Sequence, residues 1–426
     1  MTTPTWRPLL DPEAAAVTLD VAREILAHTP TPARCASPDY DFAFGSGTMG
    51  SLAGGFAGLA LWLAYAQRCG LVPARARQRA MLARADACLV SETLLPGLHS
   101  GFTGIAWTHA HLDLLRGTPG ATDVEAIDDA LIEALDGEWT RDYDLIEGLV
   151  GFGVYALERL PSASGARLLD LVVSHLQRRS VQVPSGTTWF TPPRLLAVQP
   201  DDTPRPGHYN LGLAHGVPGV IGFLGAAASA HHAPARRLLE AAVPWLLAHE
   251  RPADAGGGFA AWLESGDAVP EPARLAWCYG DAGIAAALML AADGAGRDDW
   301  HRAALRLARR AASRPVETSG VVDAMVCHGA AGLGHIFNRL WQRTGEPWLA
   351  DAARTWLARA LAFRQPDRGI AGFDSWAVDD AGQVGWRRDP GVLTGAAGVG
   401  LVLLAAATSV APDWDRAFLL SCRRDA

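Results

Sequence analysis

Two kinds of segment alternate along the chain. One kind is apolar nearly all round, as in Gly58–Arg68 and Gly398–Ala407. A helix without a polar face is a buried one. The other kind carries arginines and acids on one face and aliphatic residues on the other: Glu13–His28, Pro73–Val90, Asp123–Leu135, Ala166–Arg179, Pro234–His249, Asp298–Ser313 and Pro347–Phe363. That periodicity predicts amphipathic helices on the outside of the molecule. Seven inner and seven outer helices are expected in alternation, with strand signals confined to the longer connections.

Each apolar run opens on Gly-x-x-Gly, beginning at Gly55, Gly101, Gly148, Gly216, Gly280, Gly329 and Gly395, at intervals of 46, 47, 68, 64, 49 and 66 residues. Recurrence at such a period means one supersecondary unit used many times. Glycines three apart share a helix face and let backbones approach closely. An alternating inner and outer array that closes on itself buries both of its ends, which an open solenoid has to cap. The expected fold is therefore an all-α (α/α)7 toroid, a single domain over residues 1–426, with loop insertions. The long intervals place those insertions at Ser180–Leu213, Arg251–Trp277 and Gly369–Leu393, the last with a short hairpin. Each ends just before an inner helix, so all three are expected at one mouth of the ring, where loops on a rigid scaffold carry function.

Composition narrows the function classes. Hydrophobic residues make up 49% and charged residues 19%, enough for a large core and too apolar for disorder. The net charge is −8, and the 37 basic residues, all arginine, form no basic block. Nucleic acid and anionic membranes are poor partners for such a surface. The apolar stretch Ser51–Ala66 is too short to span a bilayer. The opening residues lack the charged and apolar regions of a signal peptide. Six cysteines without a Cys-x-x-Cys pair are no disulfide framework and suit a reduced, cytoplasmic protein.

Three repeats depart from the bland pattern just before their first glycine. Repeat four has His215, repeat five Trp277-Cys278-Tyr279, and repeat six Cys327-His328, where the others have residues such as Gly54, Ser100, Glu147 and Thr394. Matched repeat positions share one height in a closed ring. Two cysteines and a histidine are a natural zinc set, since that ion takes thiolate and imidazole. Three protein ligands leave a fourth position open, as catalytic zinc requires. The competing reading is a pair of buried thiols and a satisfied core histidine.

The segments Asn210–Gly219, Trp277–Gly280 and Cys327–Gly329, with Tyr143–Gly148 upstream, resemble the lanthionine synthetase C-like family, the lanthipeptide cyclases. The resemblance implies an (α/α)7 toroid with one catalytic Zn2+, held by Cys278, Cys327 and His328. It also implies His215, Asp144, Arg274 and Tyr279 as the surrounding site residues. One departure is Asp281-Ala282, where family members commonly have small residues and a proline; it affects the local loop. The implied reaction adds a peptide cysteine thiol across dehydroalanine or dehydrobutyrine, giving a thioether ring. The implied partners are a dehydrated precursor peptide and a separate dehydratase.

The chemistry of these residues suits that reaction. A free thiol has a pKa of about 8.5 and is mostly protonated at neutral pH; coordination to zinc removes the proton. Two protein thiolates and a neutral histidine cancel the charge of the ion, so a further sulfur keeps its electron density. Attack on the β-carbon makes an enolate, which needs a charge stabiliser and a proton on the α-carbon. Arg274, always cationic, suits the first task, and Tyr279 can hydrogen-bond the enolate oxygen. His215 suits the second, with Asp144 to orient it or to act as a base. Asp144-x-x-Glu147 is also an ordinary helix start, Arg274 an ordinary surface charge and Tyr279 an ordinary core aromatic. His335 follows His328 by seven residues and is a candidate to back it. Trp376 and Trp386 are candidates to line a peptide groove. Cys35, Cys69, Cys88 and Cys422 read as packing residues, and His99, His109 and His111 as core or solvent-facing.

Three other functions remain open to the sequence. One is a relative that adds glutathione or another small thiol to dehydroamino acids. Another is a non-catalytic docking toroid stabilised by zinc. A third is a glycosidase or terpene-cyclase-like enzyme, which needs paired catalytic acids or an Asp-rich metal motif; Asp201-Asp202 and Asp379-Asp380 stand in turn-like loops without a supporting pattern.

Overall fold

The computed structural model describes residues 6–35, 37, 39–40, 49–71, 74–196, 206–252, 255–264, 271–378 and 383–423. The acid pairs Asp201-Asp202 and Asp379-Asp380 lie outside them. The chain divides into two compact units, Met1–Thr122 with Val321–Trp414, and Asp123–Gly320 with Asp415–Ala426. No described helix is long and apolar enough to cross a membrane.

The first unit contains α1 (Pro12–His28), α2 (Phe56–Arg68), α3 (Arg75–Ser91) and α4 (Phe102–Arg116). It also contains α12 (Ala330–Thr344), α13 (Pro347–Ala362) and α14 (Ala396–Ala407). The second unit holds α5 (Glu125–Asp136), α6 (Leu149–Arg159), α7 (Ala163–Arg179), α8 (Val217–Ser229), α9 (Ala233–Ala248), α10 (Asp281–Ala295) and α11 (Asp298–Ser313). All seven expected outer helices are present, with ends within a few residues of those read from the pattern. Their caps explain several ends. Asp11 accepts from the Ala14 amide at the start of α1, and Ser162 from that of Gly165 at the start of α7. Gly117, Gly296 and Gly345 close α4, α10 and α12 in the left-handed conformation.

Inner helices pack on one another and outer helices pack on them. In the first unit α14 lies between α2 and α12, and α2 also packs on α4. There α3 covers α2, α13 covers α12, and the first helix, α1, covers the last, α14. In the second unit α8 lies between α6 and α10, covered by α9, while α7 and α11 cover α6 and α10. Every residue of α14 is buried, which explains an all-apolar helix: a charge there would be left in the core without a partner.

The paired glycines receive a local explanation. The first caps its inner helix in all seven repeats. An added Cβ at Gly58, Gly104, Gly219, Gly283, Gly332 or Gly398 would lie 1.9–2.3 Å from the carbonyl oxygen six residues earlier. At Gly55, Gly101, Gly148, Gly216 and Gly280 the same relation holds at 1.8–2.3 Å. The loop before each inner helix therefore folds back over its first turn, and no side chain fits beneath it. The close approach is to the helix's own entry loop rather than to a neighbouring helix.

These loops are laced together by backbone hydrogen bonds at one register position, the second residue before the first glycine. In the first unit Ala53 N donates to His99 O (2.8 Å), Leu393 N to Ala53 O (2.8 Å) and Cys327 N to Leu393 O (2.9 Å). In the second unit Ala214 N donates to Cys278 O (3.3 Å). Within each unit, matched positions thus share one level, as the repeat arithmetic requires.

The strands are confined to the insertions. β1 (Val181–Val183) pairs with β2 (Gly186–Thr188), and β5 (Ser375–Val378) with β6 (Val384–Arg387), the expected hairpin. β3 (Tyr209–Asn210) pairs with β4 (Trp262–Leu263), joining the first insertion to the second.

Candidate active site

In the second unit, the loops entering α6, α8 and α10 bring Asp144, His215 and Tyr279 together. Asp144 is buried and uses its oxygens separately. Its Oδ1 accepts from the Glu147 amide at 2.8 Å, the turn that starts α6, and its Oδ2 is 2.6 Å from His215 Nδ1. The same carboxylate therefore sits at a helix start and against an imidazole. His215 is 43% exposed in its side chain, so the far side of its imidazole reaches solvent. Burial pulls the His215 pKa down; the hydrogen-bonded Asp144 carboxylate, with Cys278 and Asp142, pushes it up further, and the balance is a raised value. The Tyr279 ring lies 6.4 Å from that of His215. Asn210 donates from Nδ2 to the Tyr279 hydroxyl at 3.0 Å. Gly212 makes room for this ring, since a Cβ there would stand 2.7 Å from it.

Cys278 follows the same register. It is 4% exposed and is not in a disulfide. Trp277 beside it is fully buried and donates its indole N–H to Phe418 O at 2.8 Å, which fixes the loop from below. Arg274 is exposed and, among the described residues, makes no hydrogen bond or salt bridge; Asp144, His215 and Tyr279 form their set without it. Asp281, the departure from family pattern, is buried and accepts from the Gly258 and Phe259 amides at 2.8–3.1 Å. It clamps the second insertion to the start of α10, a structural duty.

In the first unit, Cys327 and His328 precede α12. His328 Nε2 is 3.2 Å from Trp376 O and 3.5 Å from Asp323 Oδ2. Asp323 is 1% exposed; it accepts from the Met325 amide through Oδ1 and from the Trp376 amide through Oδ2, each at 3.0 Å. One carboxylate therefore holds the histidine loop and the β5–β6 hairpin. On the outer face of that hairpin Trp376 stands opposite Trp386, and Val378 opposite Val384, all four exposed. The two indoles meet edge to face at 5.1 Å. His335 is buried inside α12 and stacks on Trp414 at 4.8 Å.

Among the described residues no group of three or more His, Cys, Asp or Glu side chains is gathered as a ready cation cage. Cys278 belongs to the second unit, and Cys327 and His328 to the first. The donor chemistry nevertheless fits zinc. A histidine whose Nε2 faces a carbonyl and a buried carboxylate presents Nδ1 as its ligating atom, the usual arrangement behind metal-bound imidazole. Burial pushes the thiols of Cys35 and Cys88 up to about 12, with Glu92 adding to the effect at Cys88; Cys69 is raised by burial too. Such thiols stay protonated and pack. His109 pairs with Asp86 at 2.7 Å, and His111 stacks on Trp107 at 4.6 Å.

Sequence reasoning gave no role to Asn210 or Asp323. Asn210 lies in a quoted motif, and Asp323 stands six residues before Gly329, the place Asp389 takes before Gly395. That repetition was the available signal.

The chain matches the profile described as lanthionine synthetase C-like protein over residues 48–419. No curated protein matches it in sequence. Among solved structures, nisin cyclase matches with a TM-score of 0.67 and 20% identity, over 95% of this chain and 98% of that one. Cellobiose 2-epimerase from Bacillus thermoamylovorans B4167 matches with a TM-score of 0.43 and 9% identity, over 92% of this chain and 99% of that one. The likeness to nisin cyclase, together with the alternation of seven inner and seven outer helices among the described residues of this chain, bears out the expected all-α fold class.

Proposed function

The chain belongs to the lanthionine synthetase C-like family, and on that footing we propose that it is a zinc-dependent lanthipeptide cyclase. Its substrate is a dehydrated precursor peptide, whose dehydroamino acids arise on a separate dehydratase. The observation that carries this reading is the Asp144–His215 pair, at 2.6 Å and beside Tyr279, in the entry loops whose register also holds Cys278.

Cys278, Cys327 and His328 would hold one Zn2+ per chain, and the ion would supply the acidity that ionises a peptide thiol at neutral pH. The chain's own residues then divide the rest. The thiolate sulfur bonds to the β-carbon of dehydroalanine or dehydrobutyrine, and the π electrons move to the carbonyl as an enolate. Tyr279 donates a hydrogen bond to the enolate oxygen. His215, held protonated by Asp144, gives its proton to the α-carbon and takes up the one released by the next thiol. The apolar face of Trp376, Val378, Val384 and Trp386 receives the aliphatic and aromatic side chains of the peptide.

The test is a dehydrated peptide with one free cysteine, incubated with the purified protein. Cyclisation leaves the mass unchanged and abolishes labelling by a thiol alkylating reagent. A peptide that stays fully alkylatable under zinc-replete conditions excludes the proposal. Thioether formation only from added glutathione moves the assignment to a small-thiol transferase.

A further inference from the structure

Asn210 has a fixed orientation, and that orientation sets the direction of the hydrogen bond to Tyr279. The residue is buried on β3, with its backbone registered against Trp262 of β4. Its Oδ1 accepts from the Gly212 amide at 2.8 Å. Swapping oxygen and nitrogen would set an NH2 group against that N–H, two donors face to face, so Nδ2 is the atom 3.0 Å from the Tyr279 hydroxyl. An amide NH2 only donates, so the phenol oxygen accepts and its single proton is turned away from Asn210. A hydroxyl that accepts a hydrogen bond becomes a better donor. The Tyr279 ring cannot drift toward the loop, because it fills the space over Gly212.

We propose that Asn210 is a positioning residue that holds Tyr279 as a hydrogen-bond donor toward the reacting carbonyl, beside the acid His215. The inference rests on the cyclase reading for its catalytic consequence and on geometry alone for the hydrogen bond. Without Asn210, Tyr279 would be equally able to accept, and an accepting oxygen repels a developing enolate.

Two measurements test it. The chain has two asparagines, Asn210 and Asn338, so 15N-asparagine labelling of the full chain yields two side-chain amide groups by NMR. One amide proton of Asn210 is expected downfield and slow to exchange, and Tyr279→Phe should abolish both features while leaving Asn338 unmoved. An Asn210 amide indifferent to Tyr279→Phe overturns the proposal, whether or not the protein cyclises peptides. The kinetic arm uses Asn210→Asp, which keeps the shape and the acceptor for Gly212 but obliges Tyr279 to donate inward. The expected result is a fall in kcat of about 100-fold, the scale of losing one oxyanion donor, with KM unchanged. Tyr279→Phe should fall similarly, and the double variant no further than either single one. Multiplying losses, or a normal kcat in Asn210→Asp, overturn the proposal. A wild type that leaves the peptide open counts against the cyclase reading instead, and the NMR arm then decides for Asn210.

Discussion

Asp144 separates two tasks that one carboxylate usually confounds. Because Oδ1 serves the turn and Oδ2 serves His215, Asp144→Asn keeps the turn and removes the charge. The His215 pKa is raised in the native protein. Its acid form is therefore lost only as pH climbs through that raised value, and removing the carboxylate brings the loss to lower pH. The expected outcome is an alkaline limb of the pH–rate profile displaced downward in pH, and a His215 imidazole that titrates lower by NMR. His215→Ala should cost about 100-fold in cyclisation rate, within the usual range for one general acid. An unchanged rate would reassign the proton donor. At this scale His215 stood out as the residue before a repeated glycine, while Asp144 and Tyr279 were named by the family resemblance rather than by their spacing. Asn210 and Asp323 were not legible, since each acts on a residue 69 or 53 positions away, and such partnerships exist only once the chain is folded.

Helices were the most legible elements. Their apolar periodicity is local, and the paired glycines mark every inner helix start. The reason for the glycines was not legible, because it lies in an entry loop folded over the helix. That reason predicts a contrast between two substitutions. Gly398→Ala puts a Cβ 1.9 Å from Val392 O, a backbone atom that cannot yield alone. It should destabilise by about 3 kcal/mol, the upper part of the overpacking range. Gly137→Ala meets nothing within 4 Å at φ −90° and should be neutral or stabilising by about 0.5 kcal/mol, through the entropy of the unfolded chain. Denaturant titration of both variants checks this; equal effects would remove the entry loops as the cause. The β5–β6 hairpin makes a different prediction, since its two indoles are exposed on its outer face and are assigned to peptide binding. Trp376→Ala with Trp386→Ala should raise KM for the dehydrated peptide about tenfold and leave kcat within twofold, one aromatic anchor being worth roughly 1–2 kcal/mol. A fall in kcat alone would place the indoles in the reaction rather than in peptide binding.

Across the whole molecule, one repeat has been used seven times and altered in only a few places. Repeats five and six carry cysteine at the registered position, where the repeats joined to them by backbone hydrogen bonds carry Ala214 and Leu393. Elsewhere that position holds Ala53, His99, Ile146, Ala214 and Leu393, so cysteine in two successive repeats, the second followed by a histidine, is what the zinc proposal accounts for. The other thiols make poor rivals, because Cys35 and Cys88 reach about 12 and stay protonated at neutral pH. The prediction is one zinc per chain by elemental analysis, lost in Cys278→Ser and in Cys327→Ser and retained in Cys35→Ser and Cys88→Ser. Exhaustive chelation should abolish cyclisation, and zinc should restore it. His328 adds a graded arm. Its Nε2 is held by Asp323 and the Trp376 carbonyl, and loss of such a partner typically weakens metal affinity 10- to 100-fold. Asp323→Asn should therefore bind zinc more weakly in competition with a chelator of known affinity, without losing it outright. Full activity in protein stripped of metal would end the zinc proposal and leave Asp144, His215 and Tyr279 to act on a thiol ionised by other means.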